Sequence, residues 1–219
     1  MQFCILPEGI DGNDEQETAA MICSVISHYD QLIDEGNDPV HDAPSLQAYM
    51  NRWDGPEFIE QMQLDAEKSV LEIGVGTGRL AVRVAPLCKI FYGVDVSPKT
   101  IERARENLAG IKQVALICGD FLTYEFTQHF DVIYSSLTFM HIAEKQKAVS
   151  KAAGLLTPGG RFILSIDRNK SDCLDMGTRQ VKLYPDTADA TKTYIQAAGL
   201  TVLKQFETEC ATIFVAQKK

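Results

Sequence analysis

The sequence lacks the features of an exported or membrane-spanning protein. Its apolar runs are too short to cross a bilayer, and the opening MQFCILPEGIDGNDEQE has no basic region, long apolar stretch or small-residue cleavage site. Its six cysteines are scattered without a C-x-x-C pair, which favours buried free thiols in a reducing compartment over a metal site or a disulfide framework. We therefore expect a cytoplasmic protein without a membrane segment or a bound metal.

Positive charge is also scarce. There are 21 Lys and Arg residues against 30 Asp and Glu, a net charge of -9. An average surface of that sign repels a phosphate backbone, so a nucleic-acid partner is disfavoured unless a local basic patch exists. With 219 residues, of which 45% are hydrophobic, the chain is long enough for one domain with a sizeable core.

From Ser69 onward, apolar runs alternate with helical patterns, as in a parallel sheet covered by helices. The last two runs are separated by only a few polar residues, a link too short for a crossover, so the final pair should be antiparallel. We predict a doubly wound α/β fold with a mostly parallel seven-stranded sheet and an antiparallel last strand. The predicted strands are Val70–Ile73, Ile90–Val96, Val114–Cys118, Phe130–Tyr134, Arg161–Ile166, Leu200–Phe206 and Ala211–Ala216.

Two segments fall outside this alternation. Residues 1–68 have no strand pattern, Glu15–Asp34 has an amphipathic helical pattern, and Asp54 resembles the capping residue of a further helix. We predict that residues 1–68 form an N-terminal helical cap on a sheet domain of residues 69–219, within a single domain overall. Residues 167–186 have no regular pattern, and their length suggests a functional loop or lid.

The stretch VLEIGVGTGRL has the glycine-rich turn of a nucleotide-type site between a predicted strand and helix. Gly74, Gly76 and Gly78 have the spacing G-x-G-x-G, whereas a dinucleotide fingerprint is G-x-G-x-x-G. Glu72 would place a negative charge close to a pyrophosphate, which opposes its binding, but the same charge favours a cofactor with a cationic group.

Acidic residues also follow the next two predicted strands. In a doubly wound sheet the ligand lies beyond the carboxyl ends of the strands. Asp95 is therefore positioned to accept both hydroxyls of a ribose, although it could instead be a helix-capping acid near Ser97. Asp120 could accept a hydrogen bond from an adenine amino group while Phe121 covers the base, or could be a plain turn aspartate.

Five segments, taken in order and spacing, resemble the motifs of the class I S-adenosylmethionine-dependent methyltransferases. The resemblance covers Ser69 to about Ile166, and the terminal pair of strands is similar to the sixth and seventh strands of that family. It implies a Rossmann-like domain that binds S-adenosyl-L-methionine. The segments are VLEIGVGTG, YGVDVS, CGDF, FDVIYSS and LLTPGGRFIL.

The resemblance also implies a cofactor site. The glycine turn would lie against the methionine part and the ribose, with Glu72 near the ammonium group. Asp95 would bind the ribose hydroxyls, Val96 would pack on adenine, and Ser135 would lie beside the methionine part. The complete set of implied cofactor residues is Glu72, Gly74, Val75, Gly76, Thr77, Gly78, Asp95, Val96, Asp120, Phe121 and Ser135.

The family has no single catalytic residue, because positioning of the acceptor supplies much of the rate. His141, in SSLTFMHIAEK, is the candidate general base, with a purely structural histidine as the alternative. If the N-terminal segment folds over the cofactor, Tyr29, Tyr49, Arg52 and Trp53 are candidates for the acceptor pocket, or they are packing and surface residues.

We therefore predict an S-adenosyl-L-methionine-dependent methyltransferase that acts on a small molecule. Relatives that methylate nucleobase amines have an acidic residue or Asn, two prolines and an aromatic residue after the fourth strand, whereas this chain has YSSLTF. Ser135 and Ser136 provide no carboxylates for a magnesium-dependent catechol-type site, although Asp167 and Asn169 follow the fifth strand. A protein side chain is a less favoured acceptor. The alternatives are a cofactor-binding regulatory or inactive partner domain without turnover, and a nicotinamide-dependent reductase.

Overall fold

The computed structural model describes residues 21–219, with side chains from residue 24 onward, so Cys4 and the predicted helix start at Glu15 lie outside the described residues. The helices are α1 (Val25–Asp34), α2 (Pro44–Met50), α3 (Glu57–Glu60), α4 (Ala81–Val84), α5 (Pro98–Asn107), α6 (Lys145–Leu155) and α7 (Ala188–Ala197). The strands are β1 (Met21–Cys23), β2 (Ser69–Ile73), β3 (Ile90–Asp95), β4 (Val114–Cys118), β5 (Phe130–Ser135), β6 (Leu156–Asp167), β7 (Cys173–Asp175), β8 (Arg179–Lys182), β9 (Leu200–Glu207) and β10 (Ala211–Lys218).

The main sheet has seven strands in the order β4-β3-β2-β5-β6-β10-β9. Strands β2 to β6 are parallel to their neighbours within that group, whereas β10 is antiparallel to both β6 and β9. The short connection between β9 and β10 permits a hairpin but no crossover helix. The predicted doubly wound fold with an antiparallel last strand is confirmed.

Both faces of the sheet are covered, which explains why its central strands are almost continuously apolar. Leu71 and Ile73 of β2 point to one face, where they pack in a buried cluster with Val149 of α6. Val70 points to the other face, where it packs with Phe58 of α3. The cap therefore supplies part of the hydrophobic core.

The predicted N-terminal helical cap contains α1, α2 and α3, but the prediction that this segment lacks strands is wrong. Strand β1 pairs in parallel with β8, and β8 pairs antiparallel with β7. Strands β7 and β8 lie in residues 167–186, where the sequence has no regular pattern. Strands of three or four residues are too short to show alternation, and their pairing is long-range. The division of the chain at residue 68 stays a prediction.

Side chains connect this small sheet to the cap. Arg179 of β8 donates to both carboxylate oxygens of Glu35, at 2.7 and 2.9 Å. Its Nε donates to Nδ1 of His28, at 3.0 Å. The Arg179 side chain that makes these bonds is buried, with only 6% of the residue exposed. The bonds connect α1 to the segment after β6.

Asp54 does not cap α3, contrary to the sequence prediction. The helix begins after Pro56 without a side-chain capping bond. Asp54 is instead 1% exposed, forms an ion pair with Arg79 and accepts a hydrogen bond from Ser136 Oγ at 3.0 Å. It thus attaches the cap to the segment after the glycine turn.

Smaller differences from the sequence prediction concern where helices and strands begin and end. The helix predicted from Gly78 to about Leu87 is one turn of α-helix followed by a 3-10 turn, Ala85–Leu87, that contains Pro86. The TPGG segment after α6 is part of β6, with an irregular register against β5.

Among the four cysteines whose side chains are described, only Cys88 is buried, so the expectation of generally buried thiols is wrong. No helix within residues 21–219 is both long and apolar enough to span a membrane.

Candidate functional site

A cavity of about 400 Å³ lies at the carboxyl ends of β2 to β5. The cap covers it with Val25, Tyr29, Pro39 and Met50. Among the predicted site residues, those that line the cavity are Glu72, Gly74, Val75, Gly76, Thr77, Asp95, Val96, Asp120, Phe121 and His141. Gly78 and Ser135 are not in its lining. The structure thus brings most of the predicted set together, and their roles toward a ligand stay predictions.

The glycine turn follows β2 with positive φ angles of +76° at Gly74, +56° at Gly76 and +99° at Gly78, a region that favours glycine. A Cβ atom added to Gly74 would lie 2.0 Å from Thr138 Oγ1, so the chain needs glycine there for packing. At Gly76 an added Cβ would meet no atom within 4 Å. Since Gly76 lines the cavity, its backbone is open to close approach by a ligand.

Asp95 closes the turn from the neighbouring strand. Its Oδ2 accepts from the Gly76 N–H at 3.0 Å, and its Oδ1 accepts from the Ser97 N–H at 3.0 Å. Burial raises the pKa of this carboxyl, while these backbone bonds oppose the rise. Ser97 itself caps α5 by accepting from the Thr100 N–H. Each carboxylate oxygen keeps a second lone pair for a ligand hydroxyl.

Glu72 is a buried acid at the end of β2. Its side chain is 3% exposed, and its Oε2 accepts a hydrogen bond of 2.7 Å from the Tyr134 hydroxyl. Burial raises the pKa of Glu72 to about 8, against the opposing effects of Tyr134 and Arg79. The side chain is therefore mostly neutral at pH 7, and a cation placed beside it would favour its ionised form.

The residues after β4 form the opposite side of the cavity. Asp120 is exposed, and its Oδ1 accepts from the Leu122 N–H at 2.8 Å, which is the bond of a plain turn aspartate. Phe121 is 5% exposed and presents an aromatic surface to the lining. The turn interpretation of Asp120 and a ligand contact are compatible, since only one of its oxygens is used.

Ser135 lies outside the lining because β5 extends one residue beyond its predicted end at Tyr134. Its hydroxyl is fully buried and donates to the Ile73 carbonyl at 2.8 Å. The chain leaves the sheet after it, so Ser136 and Thr138 line the cavity instead. The sequence analysis names Ser136 at this edge but assigns it no cofactor contact, and it does not identify Thr138 or Arg79, although Arg79 directly follows the glycine turn.

His141 lies on a 3-10 turn, Phe139–His141, between β5 and α6. Its Nε2 is 2.9 Å from the Tyr29 hydroxyl, and the two rings meet edge to face. Burial, together with the charges of His28 and Lys145, lowers the pKa of His141 to about 4. Burial and the charge of Asp95 raise the pKa of Tyr29 far above its ordinary value. Both groups are therefore neutral at pH 7.

The other three candidates for an acceptor pocket do not line the cavity. Trp53 packs in the core between cap and sheet, where its ring contacts that of Tyr49. Arg52 forms an ion pair with Glu209 at the protein surface. Of the four aromatic and basic candidates in the cap, the structure thus brings only Tyr29 to the cavity.

Comparison with protein families places a known domain over this site. Residues 71–164 match the family model described as a methyltransferase domain. An uncharacterized methyltransferase from Anoxybacillus flavithermus is 36% identical over 123 residues, which are 53% of this chain and 56% of that protein. The chain thus aligns with about half the length of the curated relatives it matches.

Solved structures share the fold at low sequence identity. The N-methyltransferase NodS from Bradyrhizobium japonicum WM9, in complex with S-adenosyl-L-homocysteine, has a TM-score of 0.65 at 20% identity, covering 87% of this chain and 97% of its own. The [4+2]-cyclase SpnF has a TM-score of 0.68 at 17% identity, covering 91% and 98%. Because the fold carries more than one kind of reaction, the activity has to be argued from the site.

Proposed function

We propose, from the premise that residues 71–164 form a domain of the class I S-adenosylmethionine-dependent methyltransferase family, that this protein transfers a methyl group to a small-molecule acceptor. One observation carries the proposal. The open backbone at Gly76, the two backbone-held oxygens of Asp95 and the buried acid Glu72 all face one cavity at the carboxyl edge of the sheet.

This donor set fits an adenosyl sulfonium cofactor with an amino-acid tail. Glu72 would hold the ammonium group, Asp95 the ribose hydroxyls, and Val96 and Phe121 would pack on the adenine. When bound, the cofactor supplies an activated methyl group. The protein then has to hold the acceptor in line and exclude water, tasks that suit the roof formed by the cap.

Three observations support a small acceptor. The cavity volume of about 400 Å³ lies within the usual range of small-molecule sites. The net charge of -9 opposes binding of nucleic acid, and the YSSLTF segment lacks the pattern of enzymes that methylate nucleobase amines. A reducing, cytoplasmic location is part of the proposal, supported by the scattered cysteines without a C-x-x-C pair.

Calorimetry with two ligands tests the cofactor assignment. We expect S-adenosylhomocysteine to bind and NAD to show no heat of binding under the same conditions. Binding of NAD without binding of S-adenosylhomocysteine would overturn the proposal in favour of a nicotinamide-dependent enzyme.

Turnover is tested separately with isotope-labelled S-adenosylmethionine and a metabolite extract. We expect label to appear in a low-molecular-weight product. Persistent absence of any labelled product from a protein that binds S-adenosylhomocysteine tightly would instead favour the alternative, a cofactor-binding domain without turnover.

A further inference from the structure

Two elements that are distant in the chain bring a polar pair to the cavity wall. Tyr29 comes from α1 in the cap, and His141 comes from the turn after β5. Their hydrogen bond measures 2.9 Å, and both residues line the cavity. The lining that surrounds this pair in the cap and after β5 is mostly apolar: Val25, Pro39, Met50, Leu137, Met140 and Ile142.

One atom of this pair has no partner. Nδ1 of His141 is buried and makes no hydrogen bond to any described residue. An unsatisfied buried polar atom costs about 1–3 kcal/mol, so its presence in a native protein calls for an explanation. When the Tyr29 hydroxyl donates to Nε2, the ring proton lies on Nδ1. The imidazole can then accept a second proton only through Tyr29.

The groups around Tyr29 and His141 keep both side chains uncharged in the free protein. Burial, together with the charge of Asp95, raises the pKa of Tyr29, so the phenol keeps its proton instead of ionising. Burial and the positive charge of Lys145 keep His141 uncharged at neutral pH, where His28, whose own pKa burial lowers to about 4, is also uncharged. A neutral imidazole is compatible with a nearby sulfonium cation, whereas an imidazolium would be repelled by it.

We propose that Tyr29 and His141 form a proton relay and that the acceptor is a small apolar molecule with a phenolic hydroxyl. This inference rests on the proposed methyl transfer. The acceptor oxygen forms a bond to the methyl carbon while the methyl–sulfur bond breaks and leaves its electron pair on sulfur. The acceptor proton passes to the Tyr29 oxygen, and the Tyr29 proton passes to Nε2 of His141. The positive charge lost by sulfur thus reappears on the imidazole, which later releases a proton to water.

A phenol is the acceptor class that fits best. Its hydroxyl has an ordinary pKa of about 10, and because burial and Asp95 raise the pKa of Tyr29 above its ordinary value, the Tyr29 oxygen readily takes the acceptor proton as it gives its own proton to His141. A protonated amine would bring a second cation into the same cavity as the sulfonium. Flexible side chains such as Met50 and Met140, both nearly buried, adapt well to an aromatic ring.

Binding to the protein loaded with S-adenosylhomocysteine tests the contact without turnover. The probes are 4-methylphenol and 4-methylanisole, which differ in the transferable proton. We expect the phenol to bind roughly three- to tenfold more tightly, because only it can donate to Tyr29. This preference should disappear in Tyr29→Phe and persist in the control Tyr194→Phe, whose residue lies on α7 outside the cavity lining.

Methylation of 4-methylphenol then separates a relay from a structural role. In His141→Gln the amide oxygen can still accept from Tyr29, so phenol binding should persist while the rate falls by roughly 100-fold or more. The rate of this variant should recover with rising pH and with more acidic phenols, because a phenolate needs no relay. His41→Gln, at a surface histidine, is the matched control and should behave as the unmodified protein does.

The failures are distinguishable. Normal binding of S-adenosylhomocysteine without any binding of the phenol would overturn the phenolic acceptor and leave the cofactor assignment standing. Equal rates in His141→Gln and the unmodified protein at every pH would overturn the relay. Loss of S-adenosylhomocysteine binding in the unmodified protein would contradict the proposed function itself.

Discussion

The cavity lining contains Glu144 and three further carboxyl groups, at Glu72, Asp95 and Asp120, whose surroundings differ. Glu72 is buried against one phenol, Asp95 is held by two backbone N–H groups, and Asp120 is exposed with one turn bond. Burial outweighs the single Tyr134 hydroxyl donor and keeps Glu72 neutral, whereas the two N–H bonds favour the charged form of Asp95. Glu72 is therefore suited to exchange a proton when a ligand binds, whereas Asp95 is suited to be a fixed hydrogen-bond acceptor.

Replacement of Asp95 tests the fixed acceptor. We expect Asp95→Ala to weaken S-adenosylhomocysteine binding by about 1–3 kcal/mol, because the ribose hydroxyls lose their acceptor and the Gly76 N–H loses its partner. Calorimetry measures the change, with Asp131→Ala as a control at the opposite end of the sheet. Unchanged affinity in Asp95→Ala would remove this residue from the site.

Glu72 gives a prediction about protons. Because the pKa of Glu72 is raised to about 8, the side chain is protonated below that pH in the free protein. A ligand ammonium group favours the carboxylate, so binding should release a proton, and affinity should rise with pH up to about 8 and then level off.

Calorimetry of S-adenosylhomocysteine binding in buffers of different ionisation enthalpy measures this release. Glu72→Gln, whose amide oxygen can still accept from Tyr134, should abolish it. The same proton release from both proteins would show that another group is responsible.

Individual site residues were predictable where strand ends were predictable. The sequence predicts Glu72 and Asp95 at the carboxyl edge of a parallel sheet, and the structure places both in the cavity lining at that edge. Ser135 lies outside the cavity lining, because one additional residue in β5 moves the exit from the sheet to Ser136, and its role toward a ligand stays a prediction. The pairing of Asp54 with Arg79 was hidden, because it depends on how the cap packs and not on local sequence.

Two glycines of the glycine turn have different surroundings, so one position tests packing and the other tests access of a ligand. Gly74 faces Thr138, whereas Gly76 faces open space. We expect Gly74→Ala to destabilise the fold by more than about 2 kcal/mol, because the clash adds to the cost of a positive φ. Gly76→Ala should cost only about 1 kcal/mol in stability, yet it should weaken S-adenosylhomocysteine binding by more than that, since its methyl group enters the cavity.

Thermal unfolding and calorimetry, measured on both variants, test this contrast. If Gly76→Ala retained full affinity, the turn would not be a close-approach surface. If Gly74→Ala and Gly76→Ala were equally stable, Thr138 would not restrict the side chain at position 74 as the structure indicates.

Elements of the main sheet were predictable because each combines an apolar run with turn or capping residues. The small sheet was not, because β1, β7 and β8 are too short to carry a periodic signal and are stabilised by distant partners. Arg179 illustrates the difficulty. In the sequence it is one cation in a polar stretch, whereas in the structure it is buried between Glu35 and His28.

Several ion pairs connect the cap to the sheet domain within the described residues, and Asp54 with Arg79 is the pair in which both side chains are at most 16% exposed. Asp54 is almost fully buried with Arg79, whose side chain is 16% exposed. We expect Asp54→Asn to lower the free energy of unfolding by about 3 kcal/mol, because the Arg79 charge loses its buried partner. In contrast, Glu209→Gln removes an exposed partner of Arg52 and should cost less than about 1 kcal/mol.

Denaturant unfolding of both variants provides the comparison. Similar costs for the buried and the exposed pair would mean that Asp54 does not anchor the cap.

The pairing of β1 with β8 has a consequence for kinetics. The cap forms the roof of the cavity through contacts between residues that are far apart in the sequence. The pairing of β1 with β8 and the hydrogen bond between Tyr29 and His141 are two examples. Such contacts carry a large loop-closure entropy and form late in folding. The roof should therefore be a separate cooperative unit of low stability above a sheet that stays folded. Its opening rate, and not the rate of global unfolding, then limits how fast a ligand enters and leaves.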